Sequence, residues 1–284
     1  MRVTRYGVVL TSVALLLLGS TRDGASREEG PAAGQVTATY RVDLAGLNLG
    51  KFNLTATFKD SAYEMEAKGR FSLLAGLLYR ASGTTTSAGK MTGAGPEPSS
   101  YTLRYKGGDK KETRLMNFSA GAVSQVSITP QKKRNPNRHI PVTDAQLANV
   151  LDPLTAAFLS ARSNGSRGDL KVCHQTVPIF DGEQRFNIVL SPKRVENLTK
   201  GPDGISGPVA VCRVKFKPIG GYRPDHPGVK FMTETDEIEV WLVSLPRTPL
   251  YVPYQIFVPT AWGRGSVTLS DVKVSVDGWR SAFP

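Results

Sequence analysis

The stretch from Gln35 to Ala67, QVTATYRVDLAGLNLGKFNLTATFKDSAYEMEA, decides the fold class. Val36, Ala38, Tyr40 and Val42 fall on one side of an extended chain, with Thr37, Thr39 and Arg41 on the other. Phe52, Leu54, Ala56 and Phe58 alternate with Asn53, Thr55 and Thr57, and Tyr63, Met65 and Ala67 alternate with Glu64 and Glu66. Period two marks a strand with one buried face. Lys59, Asp60 and Ser61 supply the turn between the second and third runs, so an antiparallel meander starts here.

The same texture continues to the end of the chain. Tyr101, Leu103 and Tyr105 form a stripe that ends at Gly107 and Gly108, and Val123 to Ile128 is short and strand-like. Leu170 to Val177 and Gln184 to Leu190 read as strands flanking Asp181-Gly182, a hairpin signal. Ala210, Cys212, Val214 and Phe216 alternate with Arg213, Lys215 and Lys217, and Ile238, Val240 and Leu242 with Glu237, Glu239 and Trp241. Tyr251 to Val258 and Val267 to Val276 complete about a dozen strands, spaced as in a barrel, half-barrel or sandwich.

One region departs from period two. Leu147, Val150, Leu151, Leu154 and Phe158 follow a helical stripe, and Thr143 with Gln146 resembles a capping box. Pro153 interrupts the span and Asp152 can cap a restart, so a kinked helix or two short ones are expected from Asp144 to Arg162. Such a helix plugs a curved sheet or docks a partner, and plugging is the commoner role. Phe71 to Leu78 is expected to add a helical turn. The fold expected is mainly β: a large curved antiparallel sheet or open β-barrel with one kinked central helix.

Met1 to Gly19 places Arg2 and Arg5 before an uncharged run centred on Leu15 to Leu18. The apolar core is about a dozen residues, short of the roughly 20 that span a bilayer, so residues 1–26 read as a cleavable secretory signal. An uncleaved anchor is the alternative, and either sends the remainder out of the cytoplasm. No Cys follows the apolar run to carry a lipoprotein lipid. Residues 27–34 are expected to form a disordered lead and 35–284 a single β-rich domain.

The 284 residues carry 36 Lys plus Arg against 24 Asp plus Glu, a formal charge of +12. Cleavage after Ser26 removes three arginines and one aspartate, and the remainder stays basic. In an exported chain this charge suits lipid head groups, lipopolysaccharide phosphates or acidic wall polymers rather than nucleic acid, and maintenance of solubility is the simpler reading. The loop Gln131 to His139 concentrates Lys132, Lys133, Arg134 and Arg138, which suits peripheral membrane contact or a solvated surface.

Cys173 and Cys212 are 39 positions apart, and in an exported chain a single structural disulfide is the default reading. A loop of that size stabilises the fold by about 4 kcal/mol in the chain-entropy model. The chemical motifs are sparse. Asn164-Gly165-Ser166-Arg167-Gly168 lacks the leading Gly of a nucleophile elbow, and there is no zincin helix, P-loop or dinucleotide fingerprint. His139, His174 and His226 are isolated, and Glu237 with Glu239 reads as alternating charge on a wet strand face rather than a glycosidase pair. No catalytic residue, cofactor site or metal site is expected. Sequons begin at Asn53, Asn117, Asn164 and Asn197, a pattern common by chance.

Val172-Cys173, Val177-Pro178-Ile179-Phe180-Asp181-Gly182 with Arg185-Phe186, Val211-Cys212-Arg213-Val214 and Gly220-Gly221-Tyr222-Arg223-Pro224 together resemble the bacterial family catalogued as domain of unknown function 3108. The Tyr40–Gly50 strand and the Pro253–Lys273 stretch are similar too, so the resemblance covers about Gln35 to Asp277. It implies a periplasmic, β-rich, strongly curved open barrel of Gram-negative bacteria with no established activity, and it supports Cys173 and Cys212 as a structural pair.

Two functions of different class follow as expectations. The first is an exported, non-enzymatic cell-envelope protein that binds or shields an apolar or anionic component or a protein partner. Its concave face would be lined by Phe52, Phe58, Tyr101, Tyr105 and Phe216, and its partner would be an envelope lipid, a glycan or a periplasmic protein. The second is an envelope hydrolase or glycan-modifying enzyme whose carboxylates meet only in three dimensions. A scaffold that adds a partner strand at a sheet edge is a third.

Overall fold

A computed structural model describes residues 34–73, 79–131, 135–161, 167–199, 206–245, 250–276 and 279–282. The expected secretory signal, and the expected lead up to residue 33, lie outside them. Two runs of antiparallel strands make up the fold. The first is β1 (Gly34–Leu44), β2 (Leu47–Lys59), β3 (Ala62–Leu73), β4 (Tyr79–Thr92), β5 (Gly95–Gly107), β6 (Lys110–Ser119) and β7 (Ala122–Thr129). After a helix α1 (Pro153–Leu159) come β8 (Gln175–Phe180), β9 (Arg185–Leu198), β10 (Gly207–Gly220), a helix α2 (Pro227–Glu234), β11 (Glu239–Ser244), β12 (Tyr251–Thr260), β13 (Gly263–Val276) and β14 (Trp279–Ala282).

Each run is a meander in which sequential strands pair, and β1 pairs with β13 to fuse the two. The result is one antiparallel sheet running from β7 through β1 and β13 to β8, with β14 on β13. The sandwich alternative is therefore not realised. Among the described residues the sheet is not closed by strand pairing, but it curls until β7 and β8 approach each other. The segment from Ala148 to Leu151 bridges them: Ala148 pairs with Ala122, Asn149 N–H donates to Gly121 O (2.7 Å), and Leu151 N–H donates to Pro178 O (2.9 Å).

That bridge explains why the span from Asp144 forms two short helical segments, the second alternative expected, rather than one kinked helix. Asp144–Leu147 is a 3₁₀ turn in which Gln146 Oε1 accepts from Thr143 N–H (3.1 Å), as the capping-box reading requires. Leu147, Val150 and Leu151 fit a helical stripe, yet the backbone from 148 to 151 is spent on the sheet edges. The helix restarts at Pro153, where Asp152 Oδ1 accepts from Leu154 and Thr155 N–H at 2.9 and 3.0 Å. Two turns long, α1 is buried at Leu154, Thr155, Ala156, Phe158 and Leu159 and packs against β4, β5, β8 and β12. It is a plug.

Two further expectations are corrected. Leu170–Cys173 is a 3₁₀ helix capped by Asp169, so the strand begins only at Gln175. Phe71–Leu73 continues β3 instead of forming a helical turn, and residues 74–78 lie outside the described residues.

The main core joins Val36, Ala38 and Tyr40 of β1, Leu54, Ala56 and Phe58 of β2, and Tyr63, Met65 and Ala67 of β3 to Leu154, Phe158 and Leu159 of α1. These are the alternating residues of the opening stretch. A second cluster holds Val172, Cys173, Ala210, Cys212, Val240, Leu242 and Tyr251. β10 is buried on both faces there, from Val209 to Cys212. The Cys173–Cys212 disulfide, with Cα atoms 5.4 Å apart, ties the 3₁₀ helix to β10 inside this cluster.

Candidate functional site

Of the side chains expected to line a concave ligand face, Phe52, Phe58 and Tyr101 pack into the main core, and Tyr105 borders the pocket on β2 to β6. Phe52 stacks on Tyr40 with ring centroids 4.9 Å apart, and Tyr40 meets Phe158 of α1 at 5.6 Å. Phe58 and Tyr101 are buried in the main core, and Phe216 packs instead on Phe186 at 5.2 Å. The plug thus occupies the space an apolar ligand would take.

Beneath it lies a buried polar knot. Asp152 Oδ2 accepts from Thr155 Oγ1 (2.6 Å) and Ser87 Oγ (2.8 Å), and Tyr63 Oη lies 3.0 Å from Thr155 Oγ1. Gly89 makes room for the tyrosine, since a Cβ there would sit 2.6 Å from Tyr63 Oη. Burial pushes the Asp152 carboxyl above its ordinary range, and the hydrogen bonds it accepts only partly pull it back. Burial also raises Tyr63 and pushes Tyr101 up to about 12. A fully satisfied knot that fixes the helix to β3 and β4 is a structural device.

The isolated residues resolve similarly. His226 Nδ1 accepts from Gly228 N–H (3.2 Å) and caps α2, a helix for which Pro227 at its first position was the available signal. His139 Nδ1 lies 2.9 Å from Asn135 O, and His174 caps the 3₁₀ helix that ends at Cys173. Glu237 is outside the strand, so the expected shared face with Glu239 is absent. Burial raises the Glu239 carboxyl, but bonds from Lys193, Arg194 and Trp241 outweigh it and hold the group below its ordinary range. Among the described residues no group of three or more His, Cys, Asp or Glu could hold a metal ion.

The feature that sequence reading missed is on the opposite face of β2 to β6. Side chains two apart share a face, and register decides which of them meet across strands. Arg41 stands opposite Lys51, Lys51 opposite Arg70, Arg70 opposite Ser82, Ser82 opposite Lys106, and Lys106 opposite Lys111. The next row sets Asn53, Lys68, Thr84, Arg104 and Thr113 side by side. Short side chains at Ser82, Gly83 and Thr84 floor a trough of about 780 Å³. Lys51, Lys68 and Arg70 wall one side of it, and Arg104, Lys106 and Lys111 the other.

The walls on β3 and β5 are two strand spacings apart, about 10 Å. Lys68 pairs with Glu66 (2.6 Å) and Arg41 with Asp43 (2.8 Å). Lys51, Arg70, Arg104, Lys106 and Lys111 have no carboxylate partner among the described residues. Like charges directly opposite cost roughly 0.2–1 kcal/mol each, and three such pairs stand in one row. The sequence signal was Lys or Arg at i and i+2 in separate strands, as in Lys68/Arg70 and Arg104/Lys106. Only register shows that they adjoin.

Fold and site together define an open antiparallel sheet wrapped around a short helix, with a cationic trough on its outer face. The chain belongs to the family described as "Protein of unknown function (DUF3108)", which matches residues 39–270. No curated protein matches it. Among solved structures, it is similar to a beta-barrel-like protein of domain of unknown function DUF1849 from Brucella abortus. The identity is 9%, with a TM-score of 0.47, over 87% of this chain and 99% of that one.

Proposed function

We propose that this protein is an exported, non-enzymatic binding protein of the cell envelope that holds an anionic, phosphate-bearing component in the trough of β2 to β6. One observation carries the reading: six cations converge on a hydroxyl-lined floor, and five of them have no carboxylate partner among the described residues. Lysine and arginine at this density supply charge, and Ser82 and Thr84 supply hydrogen-bond donors to anionic oxygens. The filled interior favours an anionic component over an apolar one. The basic and apolar N-terminal sequence and the disulfide support a periplasmic setting.

Titration calorimetry of the purified chain with a soluble polyphosphate tests this. Binding that weakens steeply with salt is expected, as is its loss in the Arg70→Glu, Lys106→Glu double variant. Absence of binding at low salt, or unchanged affinity in the variant, refutes the reading.

A further inference from the structure

The trough lies close to one end of the sheet, and that end carries a second feature. The turn between β1 and β2 and the turn between β12 and β13 are neighbours: Leu44 pairs with both Leu47 and Gly265, and Ala45 N–H donates to Arg264 O (2.9 Å). The two tips present the two most exposed large apolar side chains described, Leu47 at 58% and Trp262 at 79% exposure. The second turn is ordered. Trp262 N–H donates to Thr260 Oγ1 (3.1 Å), and Thr260 Oγ1 donates to Gly263 O (2.7 Å). An indole is thus held in water by a turn with its own hydrogen bonds.

Cations stand immediately behind the tips. Arg264 lies over the Phe257 ring at 4.4 Å, close behind the Trp262 tip, and the row of Arg41, Lys51, Arg70, Lys106 and Lys111 begins further along the sheet, where Arg41 pairs with Thr268. Arg41 is three residues from the end of β1 and Lys51 four from the start of β2, which at a strand's rise is about 10–13 Å behind the tips. A head-group layer is roughly 5–8 Å thick. Tips seated at its inner boundary therefore leave the row at its outer edge, within about one Debye length of the lipid phosphates. Tryptophan favours this boundary, where its ring is half in hydrocarbon and its N–H is wet. Basic side chains near an anionic surface add to the attraction.

We infer that this end of the sheet docks on an anionic bilayer surface, with Trp262 and Leu47 seated in the interface and the cation row facing lipid phosphates. The inference rests on the trough reading and names a lipid surface as the source of its anion.

The test is co-sedimentation of the full chain with vesicles of phosphatidylcholine containing phosphatidylglycerol, beside vesicles of phosphatidylcholine alone, with tryptophan fluorescence read in parallel. The protein is expected on the mixed vesicles only, with a blue shift that Trp262→Ala removes. Trp262→Ala and Leu47→Glu are each expected to weaken vesicle binding about tenfold while leaving polyphosphate binding unchanged. Lys106→Glu with Lys111→Glu should weaken both. Polyphosphate binding without vesicle binding, or vesicle binding indifferent to Trp262, overturns the docking alone. Binding to neither overturns the trough as well.

Discussion

Lys51→Glu should make this protein more stable and less able to bind an anion. Lys51 lies directly opposite Arg41 on β1 and Arg70 on β3. With charged ends about 7 Å apart in near-aqueous surroundings, each repulsion is worth about 0.6 kcal/mol before screening, and about 0.25 at physiological salt. Reversing the sign converts each into an attraction, a swing of about 0.5 kcal/mol per pair. Asp43 already engages the Arg41 guanidinium at 2.8 Å, so the Arg70 side contributes more. The net gain is somewhat under 1 kcal/mol, which for a chain of this size raises Tm by about 2 °C. Lys51→Gln removes the repulsion without adding attraction and should give about half of that.

The assay is thermal unfolding at low and high salt, with polyphosphate titration on the same samples. The gain should grow at low ionic strength and vanish near molar salt, where the Debye length falls to about 3 Å. Affinity for the polyanion should fall in step. If Lys51→Glu lowers Tm at low salt, the cations are not repelling one another as the register implies. Unchanged affinity would mean that the row is not the site.

Two other perturbations test the architecture. Because burial raises the Asp152 pKa, the folded state holds that proton more tightly than the unfolded chain does, so this contribution is full below the ordinary value of 3.8 and is lost as pH rises through the raised value. Asp152→Asn should flatten that dependence in denaturation curves, whereas Asp152→Ala should cost about 3 kcal/mol from the lost cap and stranded hydroxyls; equal stability of the two would refute the knot. Arg114 of β6 joins the turn between β8 and β9 by bonds to Asp181 O (3.1 Å) and Glu183 Oε2 (2.7 Å), besides pairing with Glu112. Arg114→Met should cost about 3 kcal/mol and speed amide exchange in β7, and unaltered exchange there would show that this pairing does not hold the sheet edges together.

What was legible in the sequence depended on how local its cause was. Period two in β1 to β3 reports a face buried by the strand's own neighbours, and the structure buries Val36, Ala38, Tyr40, Leu54, Ala56 and Phe58 as read. The Asp152-Pro153 restart was legible for the same reason, since a cap is satisfied within three residues. The length of the helix was not: Val150 and Leu151 carry a helical stripe, but Gly121 and Pro178, distant in sequence, claim the adjacent backbone. The run from Val209 to Cys212 loses its alternation because a second cluster covers the outer face. The cation row was least legible, because each strand supplies only one or two members and register across five strands assembles them.

That assembly also bears on the meaning of the net charge. Solubility needs excess charge somewhere on the surface, and it is served best by cations dispersed among anions. It gives no reason to set Arg41 against Lys51, Lys51 against Arg70 and Lys106 against Lys111, an arrangement that costs stability wherever no counter-charge is present. Asp43 and Glu66 quench only Arg41 and Lys68, Glu112 in the trough's lining pairs with Arg114, and the floor between the walls carries the short side chains of Ser82, Gly83 and Thr84. On the reading proposed above, a bound partner supplies the compensation for the stability given up at this place. For this sheet, the reading proposed above makes that partner an anion that spans about 10 Å between the walls of β3 and β5.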